Sequence, residues 1–161
     1  DFARMPKPLI KENNLYEVIN ENIILLSKID ANIKIKLINH LHNNFLANFD
    51  YEQFNRLFFN LIKNSIESIQ EKAEKDNKID KNIDIEIRER RDYIIINILD
   101  TGIGFKDKKT KDLIKPYFTT KQKGTGLGLS IVDKIISDHN GSINFLNQNN
   151  GAKIQIIIPN K

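Results

Sequence analysis

The feature that most constrains this chain is the run from Tyr51 to Lys75, which carries the strongest helical periodicity in the sequence. Phe54, Leu57, Phe58, Leu61, Ile62, Ser65 and Ile69 share one face, and Asp50 stands where an N-cap belongs. Most of the stability of such a helix comes from packing its apolar stripe, so the rest of the chain has to supply a surface for it. Short segments of period-two alternation are the candidates. Ile83 to Arg88 and Tyr93 to Leu99 read as a hairpin with a polar turn at Arg90 to Asp92. Ser142 to Leu146 and Lys153 to Ile158 read as a closing hairpin across Asn149, Asn150 and Gly151. Ile33, Ile35 and Leu37 alternate like a short edge strand, and Phe45 to Phe49 reads as a short second strand.

Leu15 to Leu26 and Leu127 to His139 also have helical spacing, the latter stopping at Asn140-Gly141, and a short helix is expected before Pro116. Strands and helices are partly segregated along the chain. The expected fold class is therefore α+β: a two-layer α/β sandwich, with a mixed sheet of about five strands and about three helices on one face. Residues 1–12 hold Pro6 and Pro8 and no stable period, so they read as a linker or the end of something upstream; 13–161 reads as one domain. A chain of 161 residues is long enough to bury a core. No apolar run approaches the roughly 20 residues needed to span a bilayer, and the absence of cysteine excludes disulfide frameworks and thiolate metal sites. The net charge of +4 raises nucleic-acid binding, but lysines are mixed with acidic residues and form no arginine-rich stripe, so no nucleic-acid partner is expected.

Three segments carry chemistry. On the long helix, Asn60, Asn64 and Glu67 share one side at the border of the apolar face, Asn64 lying about 20° from Leu57 on the helical wheel. The Asn64 carbonyl oxygen suits a hard Mg²⁺ ion that keeps most of its waters; the bland alternative is a solvated polar stripe. Asp100-Thr101-Gly102-Ile103-Gly104 puts a carboxylate at a strand end, followed by two close glycines. An ionised carboxylate accepts hydrogen bonds and can read an amine such as that of adenine, while glycines let backbone approach a flat ring; a capped turn is the alternative. Gly124-Thr125-Gly126-Leu127-Gly128-Leu129-Ser130 leads into a helix, where backbone N–H groups and the helix dipole favour an anion. It has neither the Walker A pattern nor the dinucleotide-binding spacing.

Taken together and in order, these segments resemble the boxes of the catalytic domain of bacterial sensor histidine kinases, in the ATPase superfamily that includes gyrase, Hsp90 and MutL. Asn60 to Ile69 is similar to the N box, Asp100 to Gly104 to the G1 box, Pro116 to Lys121 to the F box and Lys123 to Ser130 to the G2 box. Phe2 to Pro8, with Pro116 to Leu129, resembles the nitrogen-regulation kinases of the NtrY type, where the first stretch joins the phosphoacceptor region to the ATP-binding domain. The resemblance implies a Bergerat-type fold with ATP and Mg²⁺ as cofactors. It implies that Asp100 binds the adenine amine, directly and through water, in a pocket shaped by Gly102 and Gly104. Asn64 would be the Mg²⁺ ligand and Asn60 would line the phosphate side, these two being the candidate catalytic residues. Gly124, Gly126 and Gly128, with Thr125 and Leu127, would contact phosphates; Tyr117 and Phe118 would support an ATP lid; Lys121 or Lys123 would neutralise phosphate charge.

Where some relatives have a lysine or arginine one turn after the metal asparagine, this chain has Glu67, as occurs in the nitrogen-regulation group. Asn60 stands where gyrase-type enzymes have the glutamate that activates water, which favours transfer over hydrolysis. The implied partners are the dimerisation and phosphoacceptor domain of the same kinase and a response regulator. The isolated domain is expected to be monomeric and the full kinase a homodimer, with this domain on the cytoplasmic side of a bacterial inner membrane. His40 and His42 follow a strand and lack the acidic residue that normally follows a phosphoacceptor histidine, and His139 ends a helix, so each is expected to be structural or solvated. The chain alone is therefore not expected to phosphorylate itself. The alternatives are a stand-alone serine kinase of the anti-sigma-factor type and an inactive relative that senses nucleotide.

Overall fold

Alternating isoleucines build the sheet on which the long helix rests. The computed structural model describes residues 5–105, 110–114 and 128–160. Among the described residues the elements are β1 (Lys11–Asn14), α1 (Leu15–Leu26), β2 (Lys34–Asn39), β3 (Leu46–Phe49), α2 (Tyr51–Lys75), β4 (Asn82–Arg90), β5 (Tyr93–Asp100), α3 (Thr110–Leu113), α4 (Gly128–Asp138), β6 (Ser142–Gln148) and β7 (Gly151–Pro159). The five-stranded sheet has the order β2-β4-β5-β7-β6. The β2–β4 pair is parallel, because α2 and β3 cross over between them, and the other pairs are antiparallel. The sheet is thus mixed, with three longer helices packed on one face, as the period of the sequence implies.

The register shows why that face is apolar. One cross-strand row reads Ile85, Ile98, Ile154, Phe145 and the next Ile87, Ile96, Ile156, Ile143, all of them buried. Phe54, Leu57, Phe58, Leu61, Ile62, Ile66 and Ile69 of α2 are buried too, and α2 packs between α1 and α4. Asp50 caps α2 by accepting from Gln53 N at 3.0 Å, and Asn14 caps α1 by accepting from Glu17 N at 3.0 Å. At the far end of α4, Gly141 N donates to Ile136 O at 2.9 Å while Asn140 takes the left-handed conformation, φ 60°. The stop falls where it is expected, but asparagine rather than glycine supplies the positive φ.

Phe45 to Phe49 is a strand as read, yet β3 stays outside the main sheet. It pairs with β1, a segment that carries no legible period, in the register Lys11↔Phe49 to Asn14↔Leu46. Asn13 Nδ2 also donates to Phe49 O at 2.9 Å. Backbone and amide hydrogen bonds hold this ribbon, and such bonds leave no hydrophobic alternation to read. His139 is a core residue: its ring centroid lies 4.6 Å from that of Phe54, and it is 5% exposed. Nε2 accepts from Asp50 N at 3.0 Å, so Nδ1 is the nitrogen that donates to Ile135 O at 2.7 Å. Among the described residues no helix is long and apolar enough to cross a membrane.

Phe54 stands between Phe49, 4.6 Å away and stacked, and Phe58, 6.0 Å away and edge-on. Phe54→Ala is expected to lower stability by roughly 3–5 kcal/mol, because the cavity is walled by residues that cannot close it. Urea unfolding followed by far-UV circular dichroism checks this; a loss under about 1 kcal/mol would show that the aromatic stack can collapse.

Candidate functional site

The same alternation that buries the isoleucines of β5 dictates where Asp100 points. Ile94, Ile96 and Ile98 face the helices, and Asp100 is next in that series. Its cross-strand neighbours are Ile83 and Ala152, and it is 7% exposed. A carboxylate thus occupies a position built for a core side chain. Oδ1 accepts from Gly102 N at 2.9 Å. Burial pushes the carboxyl above the usual carboxylate range, against the opposing pull of the Gly102 amide, the Ser65 hydroxyl, the Ala152 amide and the charge of Lys72. Ser65 Oγ acts on Asp100 as a nearby dipole, since it is buried and makes no hydrogen bond of good geometry with any described residue.

The loop after Asp100 is clamped at each step. Thr101 Oγ1 donates to Asp80 O at 2.7 Å and accepts from Asn82 N at 3.1 Å, which ties the loop to the start of β4. Ile103 N donates to Ser68 Oγ at 2.9 Å, which ties it to α2. Phe105 N donates to Asn147 Oδ1 at 2.8 Å, and its ring meets Phe145 edge-on at 5.4 Å, which ties it to β6. Gly102 is required by close approach: a Cβ there would run into the Ser68 side chain and lie 2.8 Å from the Ser68 carbonyl carbon. Its vacant side-chain position is filled by α2. Gly104, at φ 73°, turns the loop beside Asn147. Gly151, at φ 136°, opens β7 against the other side of Asp100, where a Cβ would overlap the Asp100 carbonyl oxygen.

One stretch of α2 is the common wall. Ser65 and Ser68 meet the Asp100 loop. Asn60 faces the opposite way along the helix, toward α4: its Nδ2 donates to Arg56 O at 2.9 Å, and its Oδ1 lies 3.6 Å from where a Cβ on Gly128 would stand. Asn64 and Glu67 are half-buried on the same stretch. Asn60 and Asn64 thus lie on α2, Asp100 and Gly102 meet α2 through Ser65 and Ser68, and Gly128 faces Asn60, while Gly104 turns beside Asn147 and Gly151. Tyr117, Phe118, Lys121, Lys123, Gly124, Thr125, Gly126 and Leu127 lie outside the described residues. Sequence reasoning missed Ser65, Ser68, Thr101, Lys72 and Asn147. Ser65 did leave a signal, as the one hydroxyl inside a stripe of phenylalanine, leucine and isoleucine. Asn147 left none, because asparagine is common throughout this chain.

A raised pKa is a stability statement with a definite sign. Between the ordinary value of 3.8 and its higher folded value, Asp100 binds protons more tightly in the folded state. The corresponding stability is fully present below 3.8 and is lost as pH rises through the folded value. Asp100→Asn keeps an acceptor for Gly102 N and removes the buried charge. It should therefore unfold at an equal or higher temperature than the parent at neutral pH, with the advantage shrinking as the pH falls toward 4. Scanning calorimetry across that range checks it, and an advantage that grows on acidification would contradict the assigned burial.

The chain matches the family model described as histidine kinase-, DNA gyrase B- and HSP90-like ATPase over residues 49–161. It is 31% identical over 159 residues to the nitrogen regulation protein NtrY of Azorhizobium caulinodans, covering 98% of this chain and 20% of that protein. It is 29% identical over 154 residues to sporulation kinase C of Bacillus subtilis, covering 94% of this chain and 34% of that kinase. The chain thus spans between a fifth and about a third of the length of these relatives. The catalytic domain of histidine kinase ThkA superimposes with a TM-score of 0.79 at 28% identity, over 94% of this chain and 95% of that domain. The chain belongs to the family of histidine kinase-, DNA gyrase B- and HSP90-like ATPases, as a catalytic domain of the sensor histidine kinase kind.

Proposed function

We propose that this domain binds ATP over Asp100 and transfers its γ-phosphoryl group to a histidine on a separate dimerisation and phosphoacceptor domain, which passes it to a response regulator. The observation that carries the reading is the buried pair of Asp100 and Ser65. A carboxylate in a row of core residues costs folding energy, and so does a buried hydroxyl whose approach to that carboxylate falls short of a well-formed hydrogen bond. The exocyclic amine of adenine, with a water beside it, would add a donor to the carboxylate beyond Gly102 N–H and a partner for the Ser65 hydroxyl. The clamped loop holds that edge rigid, so recognition needs little reordering.

Asn64 supplies a neutral, hard oxygen for Mg²⁺. Asn60, bonded to its own helix backbone and facing Gly128, lines the side where α4 begins and the helix dipole favours negative charge. When bound, the magnesium nucleotide supplies the phosphoryl group and part of the charge neutralisation; the protein's part is positioning. The Asn60 amide cannot take the proton of an attacking water as a carboxylate would, which favours transfer over hydrolysis. Lys121 or Lys123 would neutralise phosphate charge, Gly124, Thr125, Gly126, Leu127 and Gly128 would contact the phosphates, and Tyr117 and Phe118 would support the lid. In this reading residues 1–12 are the linker from the phosphoacceptor region and 13–161 the catalytic domain. The parent is a homodimeric bacterial inner-membrane sensor kinase with this domain in the cytoplasm. A response regulator as final partner is supported by ThkA, which has been solved in complex with the response regulator protein TrrA.

Isothermal titration tests the pocket. Asp100→Asn should weaken ATP binding by about 10-fold or more, the range for losing a hydrogen bond to a charged group, while the fold stays intact. Asn64→Ala should leave ATP affinity nearly insensitive to Mg²⁺. Unchanged affinity in a folded Asp100→Asn variant would remove the pocket assignment, and full magnesium dependence in Asn64→Ala would remove the metal assignment.

Radiolabelled ATP tests the transfer. The isolated chain should take up almost no acid-labile phosphate: His139 is buried with both ring nitrogens engaged, and His40 Nε2 lies 3.4 Å from Glu86. Adding the phosphoacceptor domain should restore labelling, more efficiently when fused than when mixed. Stoichiometric labelling of the isolated chain on a histidine, or base-labile labelling of a serine on a partner, would each overturn the reading.

A further inference from the structure

Besides the helix bond its carbonyl accepts from Phe54 N, Asp50 makes three hydrogen bonds, two of which join parts of the chain far apart in sequence. Oδ1 caps α2 by accepting from Gln53 N at 3.0 Å. Oδ2 accepts from Leu9 N at 2.7 Å, which latches the N-terminal segment. The backbone N–H of Asp50 donates to His139 Nε2 at 3.0 Å, and His139 Nδ1 donates to Ile135 O, one turn back on α4. A second tie holds the same segment: Gln53 Nε2 donates to Pro6 O at 3.0 Å. Two residues after Leu9, Lys11 pairs with Phe49, the residue before Asp50.

An N-cap alone needs one oxygen, and serine, threonine or asparagine would serve as well. Accepting on both carboxylate oxygens at once requires aspartate. Packing on Phe54 alone would suit any aromatic ring, whereas a donor at one end of the ring and an acceptor at the other requires histidine. Both residues are thus chosen for the connection they make. The helix reached through His139 is the one that begins at Gly128 beside Asn60, and a helix in a close-packed core moves as a unit.

We propose that Asp50 and His139 are positioning residues that couple the seating of residues 6–9 to α4, so that the N-terminal segment sets affinity for the phosphates of ATP but not for adenine. The inference rests on the ATP-dependent reading given above, in which that segment leads from the phosphoacceptor domain. It assigns the segment a mechanical role in presenting the nucleotide.

The test is a double-mutant cycle in the 161-residue chain. Asp50→Asn keeps the cap and the backbone N–H but replaces the acceptor for Leu9 with a donor. His139→Asn keeps a donor near Nδ1 and removes the acceptor at Nε2. Each should weaken ATP binding about fivefold, leave adenosine binding unchanged, and add nothing to the other when combined. Independent effects that multiply to about 25-fold, an equal loss for adenosine, or no loss at all would overturn the coupling. Should His139→Asn fail to fold, Leu9→Pro deletes the latch donor and must reproduce Asp50→Asn without adding to it. Amide hydrogen exchange provides an arm free of ligand: Asp50→Asn should speed exchange along α4, and unchanged exchange there overturns the proposal even if ATP binds. If the parent chain binds neither ATP nor adenosine while α4 still responds, the nucleotide reading fails and the coupling stands.

Discussion

Everything in this domain depends on how α2 is buried. Its apolar face lies over rows of isoleucine that run across four strands. Burying about 25 cal/mol per Å² of such surface is the main force that offsets the entropy of ordering the chain. The same burial creates the site. A helix pressed this closely on a sheet has two polar edges that are partly dry, and a strand whose inward series ends in aspartate delivers a charge beneath one of them. Asn60, Ser65 and Ser68 are the residues of α2 that the structure shows meeting the loop after β5 or the start of α4.

The legible parts of the fold were those written in hydrophobic period. The extents of α1 and α2 and both hairpins of the sheet follow from residues such as Leu57, Ile85, Ile96 and Ile156, whose placement has one cheap solution. The β1–β3 ribbon was half legible, because β1 is held by backbone pairing and by Asn13, and neither leaves a pattern in side-chain polarity. The site divides in the same way. Asp100 and its two glycines stood out because a carboxylate and a flexible backbone are unusual at the end of an apolar strand. Thr101 and Asn147 did not, since each works by meeting a backbone group brought from elsewhere by the fold.

Glycine has a different meaning here from the one suggested by sequence alone. The reading of Gly102 as room for a flat ring is joined by a stricter requirement, because Ser68 occupies the place where a side chain would go. The loop is shaped by contact with the protein before any ligand is considered. His139 shows the same shift from chemistry to architecture: its ring links Asp50 to the last turn of α4 within the core.

Gly151 and Ala152 carry a consequence for how the domain comes into being. Both belong to β7, the strand of the five-stranded sheet that comes latest in the sequence, and both lie directly against Asp100, some fifty positions earlier in the chain. During synthesis the carboxylate waits with one flank unmade. Neither the dry surroundings that raise its proton affinity nor the rigid edge beside it exists until the closing hairpin docks. A nascent chain therefore gives Asp100 its buried setting only once β7 is in place.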